Sequence, residues 1–138
     1  MSEIDRSIIG EEFDHTVLDP VRREDVLDYM AATGETQPPA NEAAELVAPP
    51  TFVVRLRGRR FMPSNLPRDL RIGLDAGKDI EFGVPVRVGD VLTASSMVHD
   101  IFEKTGRTGT MKFLVLRTVI TNQREQQVAV MDQKMMFR

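Results

Sequence analysis

The chain has 138 residues, 41% of them hydrophobic, and can bury roughly two thirds of its extended surface without a cross-link. It contains no cysteine, which excludes disulfides and suits a reducing compartment. A net charge of -3 and 6% aromatic content give no basic field, which argues against a nucleic-acid partner.

The opening residues, Met1 to Asp5, are polar and acidic with no apolar run behind them. Neither a signal peptide nor a membrane span is expected, and the cytoplasm is the default location. Ile8 to Phe13 leads into a first strand at His15–Leu18, stopped by Asp19-Pro20. From Arg22 to Thr33, Val26, Leu27, Met30 and Ala31 recur at helical spacing, with Glu24, Asp25 and Asp28 opposite. Gly34 is suited to ending that helix in a left-handed conformation. Glu35 to Glu42, with Pro38 and Pro39, reads as a loop, followed by a half-turn through Ala43, Ala44 and Leu46.

Ala48 to Phe61 is the stretch around which the chain is organised. Pro49 and Pro50 forbid helix just before them, and Thr51 can accept the Val54 amide as an N-cap, so a helix is expected from Phe52. Phe52, Val53 and Leu56 share one side of it, and Gly58 is its expected stop. The same residues also alternate with period two, and the β-branched Val53-Val54 pair disfavours helix. Helix is preferred because everything that follows reads as sheet, and a sheet with an apolar face needs a covering layer.

Met62 to Asp69 is a proline-punctuated connection, and Arg71–Leu74 a short strand before Asp75-Ala76-Gly77. Ile80, Phe82, Val84, Val86 and Val88 alternate with polar or small residues, predicting a strand that Pro85 places at an edge or bulge. Val91–Glu103, Thr110–Thr121 and Val128–Phe137 are further strands, joined by Thr105–Gly109 and Asn122–Glu125. The Thr110 strand is apolar on both faces, so it needs two covers; the second is either the rest of this domain or a partner subunit. The expectation is one α+β domain over residues 1–138, with a curved antiparallel sheet around one helix. No His, Cys or carboxylate cluster has metal-ligand spacing, so neither metal nor cofactor is indicated.

Several words in this order resemble a known family. They are Ile9-Gly10-Glu11-Glu12-Phe13, Tyr29-Met30-Ala31-Ala32-Thr33-Gly34, Ala48-Pro49-Pro50-Thr51-Phe52, Glu81-Phe82, Pro85 to Leu92 and Thr121-Asn122-Gln123. Over nearly the whole chain they look like the MaoC-like dehydratases, above all their N-terminal, FAS1-like dehydratase half. The resemblance implies the hot-dog fold, a sheet wrapped around a central helix. It also implies pairing of two hot dogs over an acyl thioester of coenzyme A or acyl carrier protein, and reversible hydration of a 2-enoyl thioester, commonly to the (3R)-hydroxy product.

Such a reaction needs a carboxylate and an imidazole for the water and the C2 proton, and backbone amides at a helix N-terminus to polarise the thioester carbonyl. The family motif Gly-Asp-x-Asn-Pro-x-His aligns with Gly34-Glu35-Thr36-Gln37-Pro38-Pro39-Ala40, in which acid and amide are lengthened and the histidine is missing. His15 and His99 lie at the wrong spacing and read as ordinary structural or surface histidines. Where catalytic members place glycine at the entry of the central helix, Pro49 and Pro50 offer no N–H.

The resemblance therefore implies a degenerate, non-catalytic half of a two-hot-dog hydratase, partnered by a catalytic MaoC-like subunit. Thr51, Phe52 and Val53 would wall the acyl channel. Glu35 is either a lone base or a residue that solvates its loop. Arg57, Arg59 and Arg60, with Arg55, either meet coenzyme A phosphates or form a solvated face; 14 arginines against 4 lysines make the bias general. A stand-alone acyl-CoA-binding hot dog and a homodimeric hydratase using Glu35 are the alternatives. A thioesterase is disfavoured because Thr51 to Met62 holds no acidic residue.

Overall fold

The computed structural model describes residues 3–34, 46–67, 70 and 73–137. Five strands form one antiparallel sheet: β1 (Glu12–Val17), β2 (Leu74–Phe82), β3 (Thr93–Gly106), β4 (Gly109–Thr121) and β5 (Gln127–Phe137), in the order β1-β3-β4-β5-β2. One α-helix, α1 (Arg23–Ala32), precedes the sheet-rich half, and two short 3-10 segments, η1 (Arg6–Ile8) and η2 (Pro50–Arg55), lie against it. The architecture is the curved antiparallel sheet with a covering helical layer that the sequence implies.

Period-two alternation decides which face each strand buries. Ala94, Ser96 and Val98 of β3 are buried while their neighbours are partly exposed. A bulge between Val98 and Asp100 restores the inward position at Ile101. On β4, Leu114, Leu116 and Ile120 point the same way, and Ala129 and Met131 continue the face on β5. This concave face carries two apolar clusters. One gathers Val26 and Met30 of α1 with Phe52, Val53, Ala94, Ile120 and Ala129; the other joins Ile4, Ile8, Val98, Ile101, Leu114 and Phe137.

Three expectations are corrected. The central helix is a six-residue 3-10 segment that begins at Pro50, and Thr51 caps nothing. Its hydroxyl instead lies 2.6 Å from the Tyr29 hydroxyl. The segment leaves helical geometry at Leu56, so Gly58 is not its stop; a Cβ at Gly58 would strike the Asp14 side chain, so glycine there permits close approach to β1. Finally, β2 runs from Leu74 to Phe82, absorbing Asp75-Ala76-Gly77 as a bulge rather than a turn. Val84 to Val88, expected to continue this strand, lies beyond it: the Val84 N–H still donates to the Gln127 carbonyl of β5 (3.0 Å), but the Ala48 N–H donates to the Val86 carbonyl (2.8 Å) and the Val88 N–H to the Leu46 carbonyl (3.1 Å).

The loops are locked by buried polar groups. Asp90, 5% exposed, accepts from the Arg87 amide (2.9 Å) with one oxygen and from Gln123 Nε2 (3.0 Å) with the other, while Gln123 Oε1 accepts from the Val91 amide (3.0 Å). Asn122 Oδ1 accepts from the Arg124 and Gln126 amides. The Gly89-Asp90-Val91 and Thr121-Asn122-Gln123 words thus form one clamp between two loops. On the convex face, Arg117 makes a two-point pair with Asp132, Nε to Oδ1 at 2.8 Å and Nη2 to Oδ2 at 2.9 Å.

Removing the buried Asp90 carboxylate takes the acceptor from the part-buried Arg87 amide and from Gln123, so Asp90→Ala should cost about 1–2 kcal/mol in urea unfolding, with an unchanged m-value. The hydrogen bonds from Arg117 hold the Asp132 carboxyl below the usual carboxylate range. A lowered folded-state pKa stabilises above the unfolded value of about 3.9 and is lost as pH falls through the folded one. Between about pH 5 and pH 2 the wild-type melting temperature should therefore fall more steeply than that of Asp132→Asn.

Candidate functional site

Because η2 is so short, it covers only one end of the concave face. The other end is covered by η1 and by Met62, Leu66 and Leu70. Between the two covers lies a groove of about 370 Å³. Leu116, Met131 and Met135 form its apolar floor, and Phe13, Leu56 and Met62 contribute to its walls. Ser96 and Thr118 add a polar pair on the floor, their hydroxyls 2.9 Å apart. Gln133 is held by Asp75 at 2.7 Å and reaches the Gly77 carbonyl at 3.3 Å.

Arg57, Arg60, Lys78 and Asp75 also line this groove, giving it three cations and one carboxylate. The Gly77 amide and the Gln133 side chain hold the Asp75 carboxyl below its ordinary range, so it is ionised at neutral pH. Phe61, 60% exposed, lies under the Arg57 guanidinium, whose carbon is 4.6 Å from the ring centre. Val54 is likewise exposed where it borders the groove. An apolar trough with cations beside it suits a ligand with a hydrocarbon part and an anionic part.

The residues singled out in the sequence divide between this groove and other places. Glu35 lies outside the described residues. Phe52 and Val53 are 2% and 3% exposed, packed in the core cluster beside α1 rather than lining the groove. Val53 borders a smaller apolar cavity with Pro49, Pro50, Phe82 and Val84. The Phe52 amide donates to the Pro49 carbonyl at 2.9 Å, so one expected oxyanion donor is already engaged. Thr51 is exposed and tied to Tyr29, whose ring meets Phe52 edge-on at 5.5 Å. Arg57 and Arg60 reach the groove. Arg59 lies on the other side of the same segment, over β1 with Asp14 and Thr16.

Both histidines of the chain are on the convex side. His15 pairs with Ser95, their Nδ1 and Oγ 2.8 Å apart, and Ser95 points away from the buried Ala94 and Ser96. His99 is exposed and contributes to the field at Asp132, itself on the outer face. No imidazole of this chain reaches the groove.

The floor residues Leu116, Met131 and Met135 carried no functional signal in the sequence. Each reads as ordinary core at strand spacing, and they meet only through the β4–β5 register. Among the described residues no group of three His, Cys, Asp or Glu can hold a metal ion. No described helix is long and apolar enough to cross a membrane.

Comparison with known proteins supports this geometry. Residues 7–131 match the family model of the FAS1-like dehydratase domain region. A UPF0336 protein of Streptomyces griseus is 31% identical, with 75% of this chain and 77% of the relative covered. Among solved structures, the ChsH1-ChsH2 complex of Mycobacterium tuberculosis superposes with a TM-score of 0.69 at 18% identity, covering 91% of this chain and 83% of that one. The HadBC (3R-hydroxyacyl-ACP dehydratase) complex of the same organism gives 0.60 at 22% identity, with coverage of 89% and 90%. A MaoC-like dehydratase of Rhodospirillum rubrum gives 0.64 at 18% identity, with coverage of 94% and 91%. With a matching family model over most of its length, the chain belongs to the family of the FAS1-like dehydratase domain region, and it has the hot-dog fold that the MaoC-like dehydratase shares.

Proposed function

We propose that this chain is the non-catalytic half of an enoyl-thioester hydratase (hydroxyacyl-thioester dehydratase), binding the acyl group while a separate catalytic hot-dog subunit supplies the acid and the imidazole. The observation that carries the reading is the separation of the two faces: the groove is concave and apolar, and both histidines are convex. Hydration at C3 with proton delivery at C2 needs a group that titrates near neutrality beside the substrate. Ser96, Thr118 and Gln133 can orient a substrate but none can shuttle that proton, and the Asp75 carboxylate that also lines the groove is engaged by the Gly77 amide and Gln133 and held below its ordinary range.

The acyl chain would lie along Leu116, Met131 and Met135. Arg57 and Arg60 would face the phosphate of the pantetheine arm, a group shared by coenzyme A and carrier protein. Two neighbouring structures are complexes of two different hot-dog chains, ChsH1-ChsH2 and HadBC, which supports a partner subunit. Glu35, in the degenerate motif, is read as a residue that does not act as the catalytic base.

The test is hydration of crotonyl-CoA and of a longer 2-enoyl thioester by the purified chain, alone and after co-expression with catalytic hot-dog subunits. Activity is expected only with a partner. Full-rate hydration by the chain alone, abolished by Glu35→Gln, would overturn the reading. Within an active complex, Leu116→Trp should raise KM for the long substrate by at least about tenfold while leaving crotonyl-CoA nearly unaffected, since each buried CH₂ excluded costs about 0.8 kcal/mol. Arg57→Ala/Arg60→Ala should raise KM for both substrates without lowering kcat, as expected for groups that bind ground and transition states alike.

A further inference from the structure

The two edges of the sheet are treated differently. At the β1 edge, the segment after η2 folds over the strand: the Arg59 amide donates to Thr16 Oγ1 (3.4 Å) and the Arg60 amide to Asp14 Oδ1 (3.3 Å). At the other edge, among the described residues, β2 pairs with β5 alone, and every β2 residue except Ile80 is exposed. Apolar side chains sit on this open strand, Leu74 at 55% and Phe82 at 50% exposure. Phe82 also borders the small apolar cavity with Val47, Pro49 and Val53. An uncovered edge of this length is a template for another strand.

The charges on β2 limit which strand that can be. Lys78, Ile80 and Phe82 lie opposite Gln133, Met131 and Ala129 on the concave side, and Asp79 and Glu81 lie opposite Asp132 and Val130 on the convex side. If a second copy joined edge to edge with its concave face on the same side, facing residues would share a face, so the pairing would be centred on a residue. A centre at Lys78 sets Lys78 against itself, and one at Asp79 sets Asp79 against itself. A centre at Ile80 sets Asp79 against Glu81 twice, and one at Glu81 sets Glu81 against itself. A centre at Gly77 falls on the bulge, and one at Phe82 runs off the strand toward Pro85. Every regular register places like charges directly opposite, which destabilises a strand pair.

We propose that the β2 edge is charged against pairing with its own copy and selects a different chain whose exposed edge strand presents lysine or arginine to Asp79 and Glu81. The inference rests on the reading that a partner subunit exists, but its test requires no hydratase activity. Wild type and Asp79→Lys/Glu81→Lys are each run by sedimentation velocity at low salt, alone and mixed in equal amounts, after circular dichroism has shown both folded. The mixture should associate at least about tenfold more tightly than either protein alone, and the gain should fall as salt is added. Wild type mixed with Lys78→Glu makes the same comparison for the register centred on Lys78. A gain in either mixture supports the proposal. Wild type that self-associates as tightly as both mixtures overturns it, as does the absence of a gain in both. A failed hydration assay with a candidate subunit would count against the enzymatic reading and leave this result standing.

Discussion

The structure turns on the mismatch between a long concave sheet face and a very short cover. β3, β4 and β5 run for 14, 13 and 11 residues, and their inward side chains must be shielded from water. The central segment supplies only six helical residues. It is entered through two prolines, contains the β-branched pair Val53-Val54, has no side-chain cap, and adopts 3-10 geometry, whose poorer hydrogen bonds rarely extend far. The chain therefore covers the face in two separate pieces, α1 with η2 at one end and η1 with the Met62–Leu70 region at the other. The groove is what remains between them.

Such a gap survives only if the pieces around it are held in place independently of its contents. Tyr29 ties α1 to η2 through Thr51 and packs edge-on against Phe52. The Asp90–Gln123 clamp fixes the crossing from Val84 to Leu92 against the β4–β5 turn. There Glu125 takes a positive φ of 61° and Asn122 supplies the acceptors that the tight turn requires. The family-like words of the sequence are mostly these fasteners. Their spacing is diagnostic of the fold because each meets a geometric need, and it says little about chemistry.

That distinction explains what was legible in the sequence. β3, β4, β5 and α1 follow from side-chain period alone, and Gly34 takes the expected positive φ of 83°. Alternation between Ile80 and Val88 marks strand only as far as Phe82, with a bend at Val84 and a turn from Val88 beyond it, and it cannot name the partner. Its first part pairs with β5, and its last part pairs with Leu46 to Ala48. Period-two and period-3.6 signals collide over Val53 to Leu56, and the outcome, a six-residue 3-10 segment, satisfies neither. The site was harder to see because its floor comes from β4 and β5 and its walls from β1 and the segment after η2. No local pattern announces a surface assembled from separated segments. Arg57 and Arg60 are legible as charge, whereas the apolar character of Phe52 and Val53 does not distinguish a core position, which both occupy, from a channel wall.

The separation of the two sheet faces also orders the electrostatics. Polar chemistry on the convex side is self-contained: Arg117 with Asp132, and His15 with Ser95. On the concave side the cations Arg57, Arg60 and Lys78 outnumber the carboxylate of Asp75. A sheet side chain moves between faces only by a one-residue shift of register, which would turn the whole strand inside out. Neither His15 nor His99 can reach the groove by side-chain motion, which is why the proposed function takes its imidazole from another polypeptide. The acidic β2 borders the groove through Lys78 and Asp75, which puts the proposed docking edge beside the proposed acyl site.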